Sequence, residues 1–594
     1  MRPRRIIPVA SQYVTRFAKP ALLLAFSAGL AAPGFAQVAP TREEIERRQS
    51  QPRVPQGQLQ VEGDLERTPC ALDDAQFADV RFTLRNVEFA GLRGIDPELL
   101  RAAYADEVGR DNPVSAVCRI RDKAASLLRD AGYIAAVQVP EQSISEGNLR
   151  YDVVLARIVD IRVLGDAGRS EGLIADYLNR LRAHEVFNRF EAERYLLLAS
   201  ELPGYNVRLA LRPAGTTPGE VVGEVTVLRN AFAVDASVEN LGSKDLGRGG
   251  ALVRAQLFGL TGLGDVTTAG LFITQDFHEQ KDLQLAHEFR VGSSGLNFGA
   301  SMNYSWARPD FDGPIEIKAN TLFASVWAGY PFLRRQSHRL NGMLGLDIVN
   351  QDVDANGEDF TRDRLRVAFV RLNFDALSLD FSRPGYSQVE PLWRVGATAE
   401  LRQGLDIFGA SDRCDLACIL ADDEVPTSRE NADPTAAVVR GLLYGEYRPV
   451  PVLTFSLGLR GQYSSKALLS FEEFAGGNYT AGRGYDPGAV LGDRGYGMQA
   501  EMRYGSTMPK SSRDMAIQPY IFFDYARADN ENDLFLPKGQ RSLLSTGGGF
   551  RASWRGFYLD SLVAFPLERA GFANDKPSPR LLFSLSRRLW PWGP

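Results

Sequence analysis

The 594-residue chain has only four cysteines and four histidines, and that scarcity removes several kinds of chemistry. His184, His278, His287 and His338 are scattered. None lies near the Cys414-x-x-x-Cys418 pair, so that spacing describes no zinc site. No metal and no cofactor is expected. Charge of one sign is also lacking. Lys and Arg number 68, Asp and Glu 73, for a net charge of −5. The basic field that nucleic acid requires is missing, so no nucleic-acid partner is expected. Beyond the N-terminus no apolar run approaches the roughly 20 residues of a membrane-spanning helix. Gly259-Leu-Thr-Gly-Leu-Gly264 does not join a strand to a helix, so it is no phosphate loop. Gly292-Ser-Ser-Gly295 reads as a hairpin turn rather than a Gly-x-Ser-x-Gly elbow. No nucleophile, base and acid are set out together, and an enzyme is not expected.

What is present begins with an address. Arg2, Arg4, Arg5, Arg16 and Lys19 precede an apolar stretch from Ala21 to Ala32, and Gly34-Phe35-Ala36 supplies a small-x-small cleavage site. Residues 1–36 read as a secretory signal peptide. In an exported chain an even cysteine count supports disulfides. Cys414 and Cys418 are close enough for a small loop, which would leave Cys70 with Cys118. Other pairings and free thiols remain open.

The mature chain changes texture along its length. Residues 37–70 are polar, and Thr41-Arg-Glu-Glu44 forms a capping box that opens a short charged helix to about Gln49. With Ile45 as its one large apolar residue it cannot pack on an oily core, so the residues favour a solvated or disordered leader, with a seat in a polar lumen as the other reading. Residues 71–155 read strand, helix, helix, strand, strand. The first strand is Val80–Phe89, and the first helix runs from Asp96 to about Glu107. The second helix starts near Pro113, carries Val117, Ile120, Ala124, Leu127, Leu128 and Ala131 on one stripe, and stops at Gly132. Strands follow at Ile134–Val139 and Leu149–Leu155. Residues 156–230 repeat the order, with strands Ile158–Leu164, Asn206–Arg212 and Val221–Leu228.

From residue 231 to 594 the helical period disappears. Tyr496, Met498, Ala500, Met502 and Tyr504 share one face of a strand, and Gly497, Gln499, Glu501 and Arg503 share the other. That alternation suits oil on one side and water on the other, and the terminal tyrosines sit where bilayer interfaces would lie. Phe232, Val234, Ala236 and Val238 alternate in the same way with Asp235, Ser237 and Glu239. About 16 such strands are expected, a number that leaves room for a hydrated channel. Closure lets such a sheet cross a membrane, because every backbone group pairs with a neighbour. The expected fold is therefore an α+β tandem followed by an all-β, 16-stranded antiparallel transmembrane barrel. Preceding the Tyr496 strand is a glycine-rich loop, Gly476 to Gly495, with Arg483 between two glycines.

Several local sequences carry a resemblance. Leu202-Pro-Gly-Tyr205 precedes a strand of the second module. Asn240-Leu-Gly242 and Gly262-Leu-Gly-Asp265 fall in the first barrel hairpins. Gly482-Arg483-Gly484-Tyr485 is followed by Leu491-Gly492-Asp493, and Phe522-Phe-Asp524-Tyr-Ala526 lies on a later strand. With them the chain resembles the outer-membrane transporters of two-partner secretion, the TpsB family of ShlB/FhaC/HecB-type hemolysin secretion proteins. These belong to a superfamily that joins POTRA modules to a barrel. Gly482 stands where the family has valine, and Ala526 where its wall motif has glycine.

The resemblance implies POTRA modules at 71–155 and 156–230 and a barrel at 231–594. It implies that the loop folds into the barrel and that Arg483 meets Asp524. Gly482 and Gly484 are expected to supply backbone angles that other residues resist. An ordinary surface arginine is the alternative for Arg483. The partner implied is a secreted exoprotein with an N-terminal two-partner secretion domain, exported unfolded without ATP. Outer-membrane lipid would surround the barrel, with the modules in the periplasm. An extended client can add a strand to an edge such as Ile134–Val139 or Asn206–Arg212. Val207, Leu209 and Leu211 are weak candidates for a client groove, with plain core residues as the alternative. A barrel-assembly factor is the competing function within the superfamily. A membrane-embedded barrel enzyme, from another class, lacks a catalytic set.

Overall fold

Two small modules precede the barrel, and each is built by covering one face of a three-stranded sheet with helices. The computed structural model describes residues 39–46, 72, 74–77, 79–182, 185–215, 217–310, 314–380, 383–415, 418, 424–511, 513–531, 541–570 and 575–591. The expected signal peptide and Cys70 lie outside the described residues.

Helix α1 is Arg42–Glu46. The first module holds β1 (Arg81–Thr83), β2 (Asn86–Ala90), β3 (Asp111–Pro113), α2 (Ala116–Asp130), β4 (Ala135–Gln138) and β5 (Asn148–Leu155). The single strand expected at Val80–Phe89 divides because its halves have different partners. Arg81–Thr83 pairs with β3, whereas Asn86–Ala90 runs parallel to β5. The helix expected from Asp96 is a 3-10 turn, Pro97–Ala103, with the Asp96 carboxylate accepting from Glu98 N at 2.9 Å. Pro113 does not open α2. It is taken up in β3, and the helix starts at Ala116. Val117, Ile120, Ala124 and Leu128 then face the core, beside the buried ring of Tyr151.

The second module holds β6 (Arg157–Gly165), α3 (Glu171–Arg182), α4 (Arg189–Ser200), β7 (Tyr205–Pro213) and β8 (Glu220–Arg229). Asn188 caps α4 by accepting from Phe190 N at 2.9 Å. The two sheets run β2-β5-β4 and β6-β8-β7, so β4 and β7 both lie at an edge. Val207, Leu209 and Leu211 are no more than 5 % exposed and belong to the module's core with Ile174, Tyr177 and Val225. The expectation that they line a client groove is therefore corrected. Alternation sends these three side chains inward, and Asn206, Arg208, Arg212 and Pro213 are the exposed ones on β7.

The remaining strands are β9 (Phe232–Glu239), β10 (Gly250–Phe258), β11 (Val266–Thr274), β12 (Gln280–Val291), β13 (Leu296–Ala307), β14 (Ile317–Arg334), β15 (His338–Ala355), β16 (Glu358–Leu377), β17 (Trp393–Gly404), β18 (Ala437–Val450), β19 (Leu453–Ser464), β20 (Phe474–Gly476), β21 (Val490–Gly492), β22 (Arg494–Tyr504), β23 (Met515–Asp529), β24 (Ser542–Trp554), β25 (Phe557–Pro566) and β26 (Arg580–Trp590). All except β20 and β21 form one closed antiparallel barrel, which makes 16 strands, and β26 pairs with β9. Leu285 on the outer face is 41 % exposed, whereas Gln284 beside it is 7 % exposed. Ile521 and Phe523 likewise point out, while Phe522 and Asp524 are buried inside.

The second module docks on the turns at one rim. Arg169 donates to Leu260 O at 2.7 Å and Arg180 to Ser293 Oγ at 2.9 Å. Arg194 reaches the carbonyls of Ser294 and Pro331. Gln336 N donates to Glu193 at 2.6 Å, and Arg334 pairs with Glu201. Gly259–Gly264 and Gly292–Gly295 are thus barrel turns facing this module.

Candidate functional site in the barrel lumen

The segment between β19 and β22 leaves the barrel at the rim opposite the modules and turns inward. Leu468, Leu469, Phe471, Phe474, Tyr485 and Val490 are buried, and β20 and β21 pair as a short hairpin. Gly477 and Gly482 have φ of +144° and +127°, conformations that glycine adopts without a steric penalty. They deliver Arg483 to the wall.

Arg483 Nε donates to Asp524 Oδ2 at 2.9 Å and Nη2 to Oδ1 at 2.7 Å, while its own backbone N donates to Oδ2 at 3.0 Å. Nη1 donates to Glu501 Oε1 at 2.6 Å. The guanidinium lies 3.8 Å from the centre of the Phe522 ring. Arg483 is 8 % exposed and Asp524 is fully buried. Two buried charges are tolerable only with such a full set of bonds, and the planar fork of arginine matches a carboxylate at both oxygens. The pair sits in a longer chain of alternating charge. Glu501 accepts from Arg503 at 2.6 Å and from Arg551 at 3.1 Å, and Arg551 reaches Asp560 at 3.1 Å.

The neighbouring motif residues fix the loop's depth. Gly484 N donates to Ser545 Oγ at 3.3 Å. Gly484 is not in the left-handed region, which corrects the expectation for it. Its need is space, since a Cβ there would lie 2.9 Å from Ser545 Cβ and 3.0 Å from Pro566 N. The Tyr485 hydroxyl lies 2.8 Å from the carbonyl oxygens of both Leu544 and Glu568 and accepts from Glu568 N at 3.1 Å. Ala526 is fully buried against Gly476, where a Cβ would come within 3.0 Å of Ala526 Cβ. The loop thus supplies the glycine that the wall lacks. Asp493 anchors the loop's end, accepting from Arg429 at 2.6 Å, Leu468 N at 2.7 Å and Glu531 N at 2.8 Å.

Helix α1 also lies in the lumen, because it touches strands on separate parts of the wall. The capping box forms: Thr41 N donates to Glu44 Oε2 at 2.9 Å and Glu44 N to Thr41 Oγ1 at 3.3 Å. Arg460 of β19 donates to Glu43 at 2.9 Å, and Gln284 of β12 donates to Ile45 O at 3.2 Å. Ile45 packs with Phe323, Val349, Leu365, Leu469 and Phe471, so a small apolar patch exists inside the polar lumen. The solvated-leader reading is set aside. Arg42 lies 3.5 Å from Asp347 and 3.7 Å from Glu472. The fully buried Arg402 side chain holds the same two carboxylates, at 2.9 and 2.7 Å. Glu472, from the inward loop, also accepts from Arg440 at 2.9 Å.

The motifs did not point to Glu501, Ser545, Glu472 or Arg402. Glu501 had a signal, since it lies on the polar face of the Tyr496–Tyr504 strand beside Arg503. Cys414 and Cys418 form a disulfide. Cys118 is also disulfide-bonded.

Comparison with known proteins now adds to this geometry. Residues 225–552 match the family described as haemolysin secretion/activation protein ShlB/FhaC/HecB. The chain belongs to this family. Residues 82–155 match the POTRA domain of ShlB type. The chain is 22 % identical over 544 residues to the heme/hemopexin transporter protein HuxB of Haemophilus influenzae, covering 88 % of this chain and 90 % of that one. It is 23 % identical over 517 residues to the outer membrane transporter CdiB of Dickeya dadantii, with 82 % and 85 % covered. The structure of CdiB from Escherichia coli is similar at a TM-score of 0.66 and 13 % identity, with 99 % of this chain and all of that one covered. CdiB from Acinetobacter baumannii gives 0.60 at 17 % identity, with 98 % and 100 % covered. This TpsB transporter is thus an outer-membrane barrel with periplasmic POTRA modules that serves a secreted partner protein.

Proposed function

We propose that this TpsB transporter passes an unfolded exoprotein from periplasm to cell surface through its own lumen, without ATP. The client carries an N-terminal two-partner secretion domain. It docks on the POTRA modules by adding an extended segment to β4 or β7, where backbone groups rather than Val207, Leu209 or Leu211 make the contact. Lipid covers the outward apolar face of the barrel. Folding outside prevents backsliding and so gives the movement its direction.

One observation carries the reading. The two segments in the lumen are fastened to the wall by ion pairs set beside small separate apolar clusters, Ile45 with Phe471 and Phe474 with Tyr485. The partly exposed Arg460–Glu43 pair of α1 can be exchanged for water when a client enters, whereas the buried Arg483–Asp524 pair resists exchange. The Arg483–Asp524 pair sets the working position of the loop. The test is Arg483→Ala at equal barrel level in the membrane. Export of the partner protein should fall at least about tenfold, a loss of about 1.4 kcal/mol or more of effective stabilisation. Unchanged secretion would refute the loop's role.

A further inference from the structure

The lumen wall is not uniform in charge. Register assigns the inward side chains, because Gln284 of β12 reaches Ile45 inside the barrel and its partners across the sheet share its face. On β11 the inward residues are Val266, Thr268, Gly270, Phe272 and Thr274. On β13 they are Asn297, Gly299, Ser301, Asn303, Ser305 and Ala307. On β14, from Ile317 to Gly329, they include Thr321, Phe323, Ser325 and Trp327. Among the described residues, β11 and β13 send no charged side chain inward, and β14 sends only Arg334, at the rim where it pairs with Glu201.

The charges of the intervening β12 are already engaged. Asp282 is fully buried and accepts from Gln280 and Ser305, and Glu288 pairs with Arg290. By contrast, every barrel strand from β16 to β25 places at least one charged residue inside: Asp363, Arg402, Arg440, Arg460, Glu501, Asp524, Arg551 and Asp560 each come from a different strand. The inward loop is fastened to that charged side.

The sparsely charged side touches a segment of polypeptide that the opposite wall also holds, through Arg460–Glu43. Gln284 Nε2 donates to the main-chain carbonyl of Ile45, and the α1 side chains Arg42 and Ile45 lie against Phe323. A side-chain amide bonding to a backbone carbonyl reads no sequence. We infer that the wall formed by β11 to β14 is the surface along which the exported polypeptide slides, and that α1 occupies this track at rest. Hydroxyls, amides and aromatic faces contact an extended backbone weakly and without regard to sequence, whereas fixed charges would retain client residues of opposite sign. The inference rests on the transport reading above and names its path.

The experiment uses the full-length chain in planar bilayers, opened by Ile45→Asp, which makes the apolar seat of α1 unfavourable. Single cysteines are introduced at Thr268 or Ser301 on the neutral wall and at Thr398 or Gln499 on the charged wall. A small thiol reagent calibrates the accessibility of each. The probe is a synthetic polypeptide of Gly, Ser and Asn with one central cysteine, about 30 residues long, which extends to roughly 100 Å and outspans the bilayer. It is added on the POTRA side. The expected result is interruption of the ion current, with disulfide trapping several-fold greater at Thr268→Cys and Ser301→Cys. Current interruption with equal or greater trapping at Thr398→Cys and Gln499→Cys would overturn the path but leave the transport reading standing. A probe that neither interrupts the current nor is trapped anywhere would overturn both.

Discussion

The POTRA modules and the barrel are opposite solutions to placing the same residue types. In the modules Ile120, Tyr151, Tyr177 and Val225 are buried, and ion pairs such as Arg81–Asp111 stand more than half exposed. In the barrel Leu285, Ile521 and Leu581 face outward, and Arg402–Glu472 and Arg483–Asp524 lie inside with almost no exposure. The difference shows that the surroundings, not the pair itself, decide what an ion pair does. An exposed pair competes with water and contributes little. A buried pair costs desolvation, and its loss strands a charge. Module ion pairs therefore decorate, whereas barrel ion pairs decide where the inward segments rest.

That contrast can be broken in four ways. The largest effect is expected from Asp524→Ala, which leaves Arg483 buried beside Glu501 alone. Loop seating should weaken by about 3–5 kcal/mol, read as new protease cleavage within 477–489 while heat-modifiable migration still reports a closed barrel. Next, Leu285→Arg should destabilise the barrel by about 2–4 kcal/mol, whereas Gln284→Arg, one residue away and facing the lumen, should not. Reversible unfolding in detergent or bilayers measures both, and equal costs would erase the distinction between the faces. Third, Tyr151→Phe removes the buried hydroxyl that donates to Val117 O at 2.9 Å and should cost the first module about 1 kcal/mol. Smallest, Arg81→Ala should leave the module's denaturation midpoint unchanged within error, because its partner Asp111 stays hydrated.

Much of this was legible in residue order. The Tyr496–Tyr504 alternation marks a strand with one apolar face, as a soluble sheet would also show, and it is the long succession of such strands with aromatics on the apolar side that points to a barrel. The Arg483 loop and Asp524 strand could be paired only through a family resemblance, as 41 residues separate them and no local pattern joins them. Position in the lumen was harder to read. Ile45 looked too isolated for a core because its partners come from β14, β15, β16 and the inward loop. The cluster around Arg402 gathers Arg42, Asp347 and Glu472 from remote parts of the chain, so spacing carries no trace of it. Val80–Phe89 alternates throughout and still divides, because two partner strands compete for its halves. Alternation identified Val207, Leu209 and Leu211 as one face of β7 but could not say whether helices covered it. They do.

The most direct test of the account is conductance. The purified chain in planar bilayers should show small, intermittent currents with α1 seated, and deletion of residues 41–49 should raise them several-fold, with Arg483→Ala raising them further. Identical traces for the intact and deleted chains would mean that α1 does not occupy the conducting path.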